Sequence, residues 1–238
     1  MTSSPKNALR RSSREDVDRF LQQVRANSPP TRHEARGRLI FALDATASRE
    51  PMWDRACHIQ AQMFEQTAAL GGLDIQLAYY RGYGEFKAAP WTAQADELLS
   101  LMSAIRCSAG QTQVARLLQH AVTQAGRGTV DALVFVGDCM EEDPDVLVRV
   151  AGKLGILGVP VFLFQDGADP AAAKAFAHIA RLTHGAHCRF DAASAAQLRE
   201  LLCAVAVYAA GGRKALEDFS RSQGGEALRL TQQLGDGD

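Results

Sequence analysis

Five oxygen-bearing side chains stand where an apolar run gives way to a loop, or where a loop leads into a helical segment. They are two carboxylates and three hydroxyls: Asp44, Thr46, Ser48, Thr112 and Asp138. All are hard oxygen ligands, the kind that Mg²⁺ or Mn²⁺ prefers, and none is a thiolate or an imidazole. The sequence therefore predicts a divalent-cation site, provided that the fold brings these residues together.

The first three of these residues alternate with alanines, as Asp44-Ala45-Thr46-Ala47-Ser48. In an extended segment every second side chain points the same way, so three oxygens can converge on one ion. The small alanines between them leave room for close packing of the backbone.

The surrounding pattern predicts the frame that would position these residues. Short apolar runs, typical of strands buried on both faces of a sheet, alternate with amphipathic segments typical of helices. The predicted strands cover residues 39–43, 74–80, 85–88, 130–136, 159–164 and 187–190. The predicted helices cover residues 13–27, 51–70, 92–105, 112–125, 145–157, 170–183 and 193–210. This alternation predicts an α/β fold with a doubly wound, mostly parallel sheet and helices on both faces. Ligands of such sheets bind at the carboxyl ends of the strands, near the topological switch point.

The order of the oxygen-bearing residues resembles the von Willebrand factor type A (vWA) family and its metal-ion-dependent adhesion site. That family has Asp-x-Ser-x-Ser after its first strand, a Thr in a later loop and an Asp after a central strand. The matching residues are Asp44, Thr46, Ser48, Thr112 and Asp138, and the strand and helix pattern agrees over residues 37–210. The resemblance implies a Rossmann-like vWA domain of the bacterial intracellular type.

Three features depart from the family pattern. Thr46 replaces the first Ser, which keeps the hydroxyl and adds a methyl group. Arg49-Glu50-Pro51 follows the motif where the family often has Gly or Met, and residues 141–143 form an acidic loop after Asp138 where the family has a Gly-rich one. These departures bear on metal affinity more than on the fold.

The resemblance also implies how such a site would work. The hydroxyls of Thr46 and Ser48 would ligate Mg²⁺ directly. Asp44 and Asp138 would act largely through bound waters, and Thr112 would join or leave the ligand set as its loop moves. The ion would keep an open position that a Glu or Asp of a partner protein can fill. Bacterial relatives often work beside an ATPase chaperone or in a multi-protein complex, so the expected partner is another protein of that kind.

Each site residue also has a plainer structural interpretation. Asp44 and Asp138 are residue types that suit turns, while Ser48 and Thr112 stand where helix caps belong. A type A fold with a degenerate site that holds no metal is therefore the main alternative.

Three further residues are candidates for the rim of a partner-binding face. Met52 and Trp53 follow the first motif closely, and Glu141 follows Asp138. Core packing in the first turn of a helix is the competing interpretation for Met52 and Trp53.

Composition limits the classes of partner. The 238 residues carry a formal net charge of -1, so no bulk attraction to nucleic acid or to anionic lipid is expected. One basic cluster, residues 6–14, is interpreted as a solvated tail, with a nucleic-acid or membrane arm as the alternative. The five cysteines lie far apart without a Cys-x-x-Cys pair, which argues against a disulfide framework or a cysteine-rich zinc site. No signal peptide or membrane span is evident, and the expected location is the cytoplasm.

The chain divides into three predicted parts. Residues 1–36 form an extension with one amphipathic helix, residues 37–210 form the vWA-like domain, and residues 211–238 form a polar tail.

Enzyme patterns fit poorly. A haloacid-dehalogenase-type phosphohydrolase needs an acid two residues after its first Asp, and this chain has Thr46 there. Residues 44–48 contain no glycine fingerprint for a dinucleotide, and the chain contains no Gly-x-Ser-x-Gly. We therefore expect a metal-dependent protein-binding module that is not an enzyme. A metal-independent scaffold and, behind it, a Mg²⁺-dependent phosphohydrolase are the alternatives.

Overall fold

The computed structural model describes residues 36–47, 72–190 and 195–222. Three predicted site or rim residues lie outside the described residues: Ser48, Met52 and Trp53. The helices predicted at 13–27 and 51–70 also lie outside them.

The described part of the chain contains six strands and five helices. The strands are β1 (Gly37–Asp44), β2 (Leu73–Arg81), β3 (Glu85–Thr92), β4 (Ala132–Gly137), β5 (Val161–Asp166) and β6 (Ala186–Phe190). The helices are α1 (Ala95–Ser103), α2 (Val114–Ala125), α3 (Pro144–Ile156), α4 (Pro170–Leu182) and α5 (Ala195–Ser222).

All six strands form one sheet in the order β3-β2-β1-β4-β5-β6. Every neighbouring pair is parallel except β2 and β3, which are antiparallel. The predicted α/β fold class is thereby confirmed. The order reverses between β1 and β4, so this pair marks the topological switch point where such sheets bind ligands.

The strands are continuous apolar runs because both faces of the sheet are covered. In β1, Leu39, Phe41 and Leu43 belong to the core beneath α1 and α5. Ile40 and Ala42 belong to the core beneath α2, α3 and α4. All five are fully buried, as a strand packed between two helical layers requires.

The edge strand β3 differs most from its prediction. It continues to Thr92, four residues beyond the predicted end at Ala88. Pro90 hides this continuation in the sequence, because proline is tolerated in a sheet only at an edge. The far end of the strand is held by Trp91, whose ring lies 4.0 Å from the guanidinium carbon of Arg38.

Two helices that cover the sheet begin at an aspartate followed by a proline. The Asp143 side chain accepts a hydrogen bond from Asp145 N at the start of α3, and Asp169 accepts one from Ala172 N at the start of α4. Proline suits the next position because the first helical N–H has no partner within the helix. Both capped helices begin at the carboxyl edge of the sheet, after the ends of β4 and β5.

Helix α5 extends beyond its predicted end at Ala210. Gly212 adopts φ 68° and ψ −163°, which kinks the helix and separates two helical segments. Past the kink, Leu216 is fully buried and Phe219 packs against the same core. Contacts of the domain thus reach beyond the predicted boundary at residue 210. Among the described helices, none is long and apolar enough to cross a membrane.

Candidate functional site

Asp44 is the most buried polar residue of the candidate site. It ends β1 and is fully buried. Its Oδ1 accepts a hydrogen bond from Thr46 N at 2.7 Å, and its Oδ2 accepts one from the Tyr80 hydroxyl at 3.1 Å. These donors replace the water that the carboxylate loses on burial. Without them, burial of the ion would cost on the order of several kcal/mol.

The register of β1 and β2 places Tyr80 opposite Asp44. Ala45 N also donates to Tyr80 O at 3.0 Å, which extends the pairing by one residue past the strand end. Burial raises the pKa of Tyr80 well above its usual value, and the charge of Asp44 adds to this effect. Tyr80 therefore stays protonated and serves as a permanent donor to the Asp44 carboxylate.

Asp138 follows β4, the strand on the other side of β1. The two strands are in parallel register with Leu43 opposite Val136, so Asp44 and Asp138 leave the same edge of the sheet. Burial raises the pKa of Asp44, and the negative charge of Asp138 raises it further. The fold thus brings the two predicted carboxylates within electrostatic reach of each other.

Thr112 is carried to this edge by the loop between α1 and α2. Ser108 N donates to Ala45 O at 3.0 Å, and Gln111 N donates to Gly82 O at 3.2 Å. The loop lies directly on the turn between β2 and β3, because a Cβ at Gly110 would overlap the carbonyl oxygen of Gly82. Glycine at 110 is therefore required for this close approach.

The acidic loop after Asp138 reaches across to the Thr112 loop. Glu141 N donates to Thr112 Oγ1 at 3.0 Å, and Thr112 N donates to Glu141 Oε2 at 3.3 Å. Glu142 accepts from Val114 N at 2.5 Å and from Ala115 N at 2.8 Å. The acidic residues thus hold the loop in place and cap α2 from outside the helix.

This arrangement corrects the interpretation of Thr112 as a helix cap. Helix α2 begins at Val114, its N-cap position is Gln113, and that side chain makes no capping bond. The carboxylate of Glu142 supplies the cap instead. The Thr112 hydroxyl accepts a hydrogen bond from Glu141 N through one lone pair, and an oxygen of this kind has a second lone pair with which to ligate a cation.

Cys139 lies beside the carboxylates without the properties of a reactive thiol. Burial raises its pKa to about 12, and the charge of Asp138 acts in the same direction. The raised pKa disfavours the thiolate at neutral pH, and the thiolate is the nucleophilic and metal-binding form.

The donor set suits a hard cation only if hydroxyls take part. Within the described residues, no three carboxylate, thiol or imidazole side chains are grouped as a metal site. The described set has two carboxylates, Asp44 and Asp138, with the hydroxyl-bearing residues Thr46 and Thr112, both buried. Oxygen donors beside two mutually repelling carboxylates fit Mg²⁺ or Mn²⁺. Ser48 remains a prediction because it lies outside the described residues.

Sequence reasoning missed two residues that shape the site. Tyr80 holds Asp44, and Glu142 anchors α2. The signal for Tyr80 is its place at the end of the second predicted strand, level with Asp44 in a parallel pair. The signal for Glu142 is weaker, since a cap contributed by a distant loop has no local pattern.

Comparison with solved structures identifies the fold. No family model matches the sequence, and no curated protein matches it. Solved structures do match: a von Willebrand factor type A protein from Catenulispora acidiphila superposes with a TM-score of 0.55 at 16% identity, over 74% of this chain and 43% of its own. The SpRpn10 VWA domain gives 0.53 at 14% identity, over 72% of this chain and 95% of its own.

A third similar structure carries a metal. Proximal thread matrix protein 1 from the mussel byssus, with a zinc-occupied MIDAS motif, has a TM-score of 0.56 at 13% identity. The match covers 76% of this chain and 48% of that protein. The chain thus spans less than half of the Catenulispora and mussel proteins. At these identities the likeness concerns the fold, and the chain has the Rossmann-like fold of von Willebrand factor type A domains.

Proposed function

We propose that this chain is an interaction module that binds a partner protein through a divalent cation at the carboxyl ends of β1 and β4. The observation that carries the proposal is that Asp44 and Asp138 lie within electrostatic reach at the topological switch point, with the Thr112 loop hydrogen-bonded to the loop after Asp138. Two carboxylates side by side repel each other, and a bound cation would offset that repulsion.

The proposed ligand set is Asp44, Thr46, Ser48, Thr112 and Asp138. A bound Mg²⁺ or Mn²⁺ would supply an open coordination position for a Glu or Asp of the partner. The zinc-occupied motif of the mussel protein supports testing Zn²⁺ as well.

Other residues of this chain would hold the ligand side chains in position before the ion binds. Tyr80 and the backbone of Thr46 orient the Asp44 carboxylate. Glu141 positions Thr112, so a movement of the acidic loop would move the hydroxyl with it. This link would allow partner binding to be coupled to a shift of α2.

The cellular setting is part of the same proposal. The proposed location is the cytoplasm, where the five widely spaced cysteines of the sequence would stay reduced. A protein of an ATPase-containing or other multi-protein complex is the proposed class of partner, and no catalytic activity is proposed.

A metal-independent scaffold is the competing function, and one observation favours it. Both oxygens of Asp44 accept hydrogen bonds from the protein, and burial raises its pKa. A site satisfied in this way could be stable without an ion. Metal titration separates the two functions.

The first test is thermal unfolding of the full chain in EDTA, Mg²⁺, Mn²⁺ and Zn²⁺. A cation that binds only the folded state, at about 100 times its dissociation constant, adds about 2.7 kcal/mol. For a chain of this size, that corresponds to a rise in Tm of roughly 5–10 °C. Asp138→Asn should abolish the rise.

Asp166 provides the matched control. It ends β5 at the same edge of the sheet, one strand away from Asp138. Asp166→Asn should keep the full metal response. An unchanged wild-type Tm with every cation, together with partner capture that is equal in EDTA and Mg²⁺, would favour the scaffold.

A further inference from the structure

The hairpin turn of residues 81–85, which joins β2 to β3, lies against the Thr112 loop of residues 104–113. Gly82 and Gly84 have φ values of 56° and 92°, which L side chains rarely adopt. A Cβ at either position would meet no neighbouring atom, so conformation and not space requires glycine there. The shape of the turn is therefore set by its own backbone, and the loop packs on a surface that is already formed.

Three carbonyl oxygens of the hairpin turn accept hydrogen bonds from the loop and from the start of α2. The three bonds are Gln111 N to Gly82 O at 3.2 Å, Gln113 Nε2 to Glu85 O at 3.2 Å and Arg116 Nη1 to Gly84 O at 2.7 Å. Gln111 and Gln113 flank Thr112 in the chain. The hairpin turn thus holds the backbone on both sides of the proposed cation ligand.

A further bond runs in the other direction, from the hairpin turn to the loop. Arg81 Nη1 donates to Arg106 O at 2.6 Å, and Arg81 Nε donates to Glu85 Oε2 at 2.9 Å. A guanidinium is a planar fork whose N–H groups point in fixed directions, so it can serve both acceptors at once. Arg81 therefore ties the two ends of the hairpin turn to the first part of the loop.

Segments of the candidate metal site support the loop from another direction. Ser108 N donates to Ala45 O, next to Asp44, and Thr112 exchanges hydrogen bonds with Glu141. Thr112 itself is only 6% exposed. A loop supported by both the hairpin turn and these segments takes its position from both. Release from the hairpin turn would therefore shift the Thr112 hydroxyl relative to the carboxylates.

We infer that Arg81 is a positioning residue for Thr112 and that the hairpin turn sets the cation affinity of the candidate site. The inference rests on the proposed metal-binding function. Arg81 acts through Arg106 O and the loop, without contact with the ion. Groups that orient metal ligands from outside change metal affinity by about 10–100-fold, so loss of Arg81 should weaken cation binding by about tenfold.

The charge of Arg81 gives this prediction a distinctive sign. A positive charge near a bound cation repels it, so removing that charge should by itself tighten metal binding. The positioning role predicts weaker binding in Arg81→Gln instead. Lys87→Gln is the matched control, because Lys87 also carries a positive charge and pairs with Glu85, with 3.3 Å between Nζ and Oε1. Among the described contacts, Lys87 donates no hydrogen bond to the loop.

The first measurement is Mn²⁺ binding to the full chain, followed by the electron paramagnetic resonance signal of the free ion. Arg81→Gln should raise the dissociation constant by about tenfold, and Lys87→Gln should leave it unchanged or lower it slightly. Thermal unfolding in EDTA shows whether each variant is folded. An affinity in Arg81→Gln that equals or exceeds that of the wild type would overturn the inference.

A second measurement needs no metal and separates this inference from the proposed function. Amide hydrogen exchange in EDTA, followed by NMR, should be faster at Ser108 and Gln111 in Arg81→Gln than in the wild type, because the loop opens more often. Leu133 N in β4 is the internal reference and should not change. Unchanged exchange at both loop amides would overturn the inference even where the metal binds. A wild type that binds no Mn²⁺, with faster exchange in Arg81→Gln, would overturn the metal function and leave the hold of Arg81 on the loop standing.

Discussion

Two pairs of neighbouring strands carry buried polar groups at the carboxyl edge of the sheet, and they are built differently. At the end of β1 and β2, the Asp44 carboxylate accepts from Tyr80. At the end of β5 and β6, Gln165 is fully buried and its Oε1 lies 3.1 Å from His187 Nε2. The amide of Gln165 donates in turn to Asp169 O at 2.8 Å.

The two networks differ in charge. Burial lowers the pKa of His187 to about 4, so the β5–β6 network contains only neutral groups at pH 7. Burial raises the pKa of Asp44, and a second carboxylate, Asp138, stands nearby. The neutral network has no charge for a ligand to offset. In the acidic network, a bound cation would offset the repulsion between Asp44 and Asp138. The difference separates a structural network from a candidate binding site on the same edge.

The largest expected effect is acid destabilisation through His187. Its folded pKa of about 4 lies below the ordinary value of 6.5, so the unfolded chain binds the proton more readily. Stability is therefore fully present above pH 6.5 and is lost as the pH falls towards 4, by up to about 3 kcal/mol. Urea unfolding between pH 7.5 and 4.5 measures this loss. His187→Gln should reduce the pH dependence of the free energy of unfolding. An unchanged dependence in that variant would contradict the role assigned to His187.

Asp44 should act on stability in the opposite direction. Its folded pKa is raised above the ordinary 3.8, so the folded state holds the proton more readily and stability falls as the pH rises above 3.8. Asp44→Asn should remove this loss and raise Tm in EDTA at neutral pH, because the amide carries no charge. Its oxygen can still accept from Thr46 N, and its NH2 can donate to the Tyr80 hydroxyl oxygen once that hydroxyl rotates. The same variant should respond less to Mg²⁺. A lower Tm in EDTA would show that the charge itself stabilises the fold.

Removing the donor from Tyr80 tests the acidic network directly. Tyr80→Phe leaves the buried Oδ2 of Asp44 without its hydroxyl partner and should cost about 2 kcal/mol in EDTA. Denaturant unfolding gives the value. Tyr79→Phe is the matched control, since Tyr79 packs against the other core, and it should cost less. Equal losses would mean that the hydrogen bond to Asp44 contributes little.

The smallest expected effect concerns the cap on α2. Glu142→Gln replaces one acceptor oxygen with a donor facing the backbone N–H groups of the first turn, and it removes a negative charge there. We expect a loss of about 1 kcal/mol in the free energy of unfolding. Glu141→Gln touches only the longer bond from Thr112 N and should cost less. A larger loss for Glu141 would reverse the assigned roles.

Several features could be read from local pattern alone. The apolar run of β1 and the alternating Asp-x-Thr motif after it need no information beyond their neighbours. The same holds for Asp143-Pro144 and Asp169-Pro170 as helix starts. Strand β3 is longer than predicted because Pro90, a residue that often ends a strand, lies at the sheet edge, where its missing N–H is tolerated.

Local composition encodes the alternation of strands and helices and the oxygen-bearing residues after β1 and β4, because burial on two faces requires continuous apolar runs. The position of β1 between β2 and β4, which brings Tyr80 and Asp138 to opposite sides of Asp44, is a property of the assembled sheet. The cap of α2 by Glu142 in place of Thr112 is likewise a property of the tertiary structure. These outcomes depend on strand order and on contacts between residues far apart in the chain, and no local spacing encodes them.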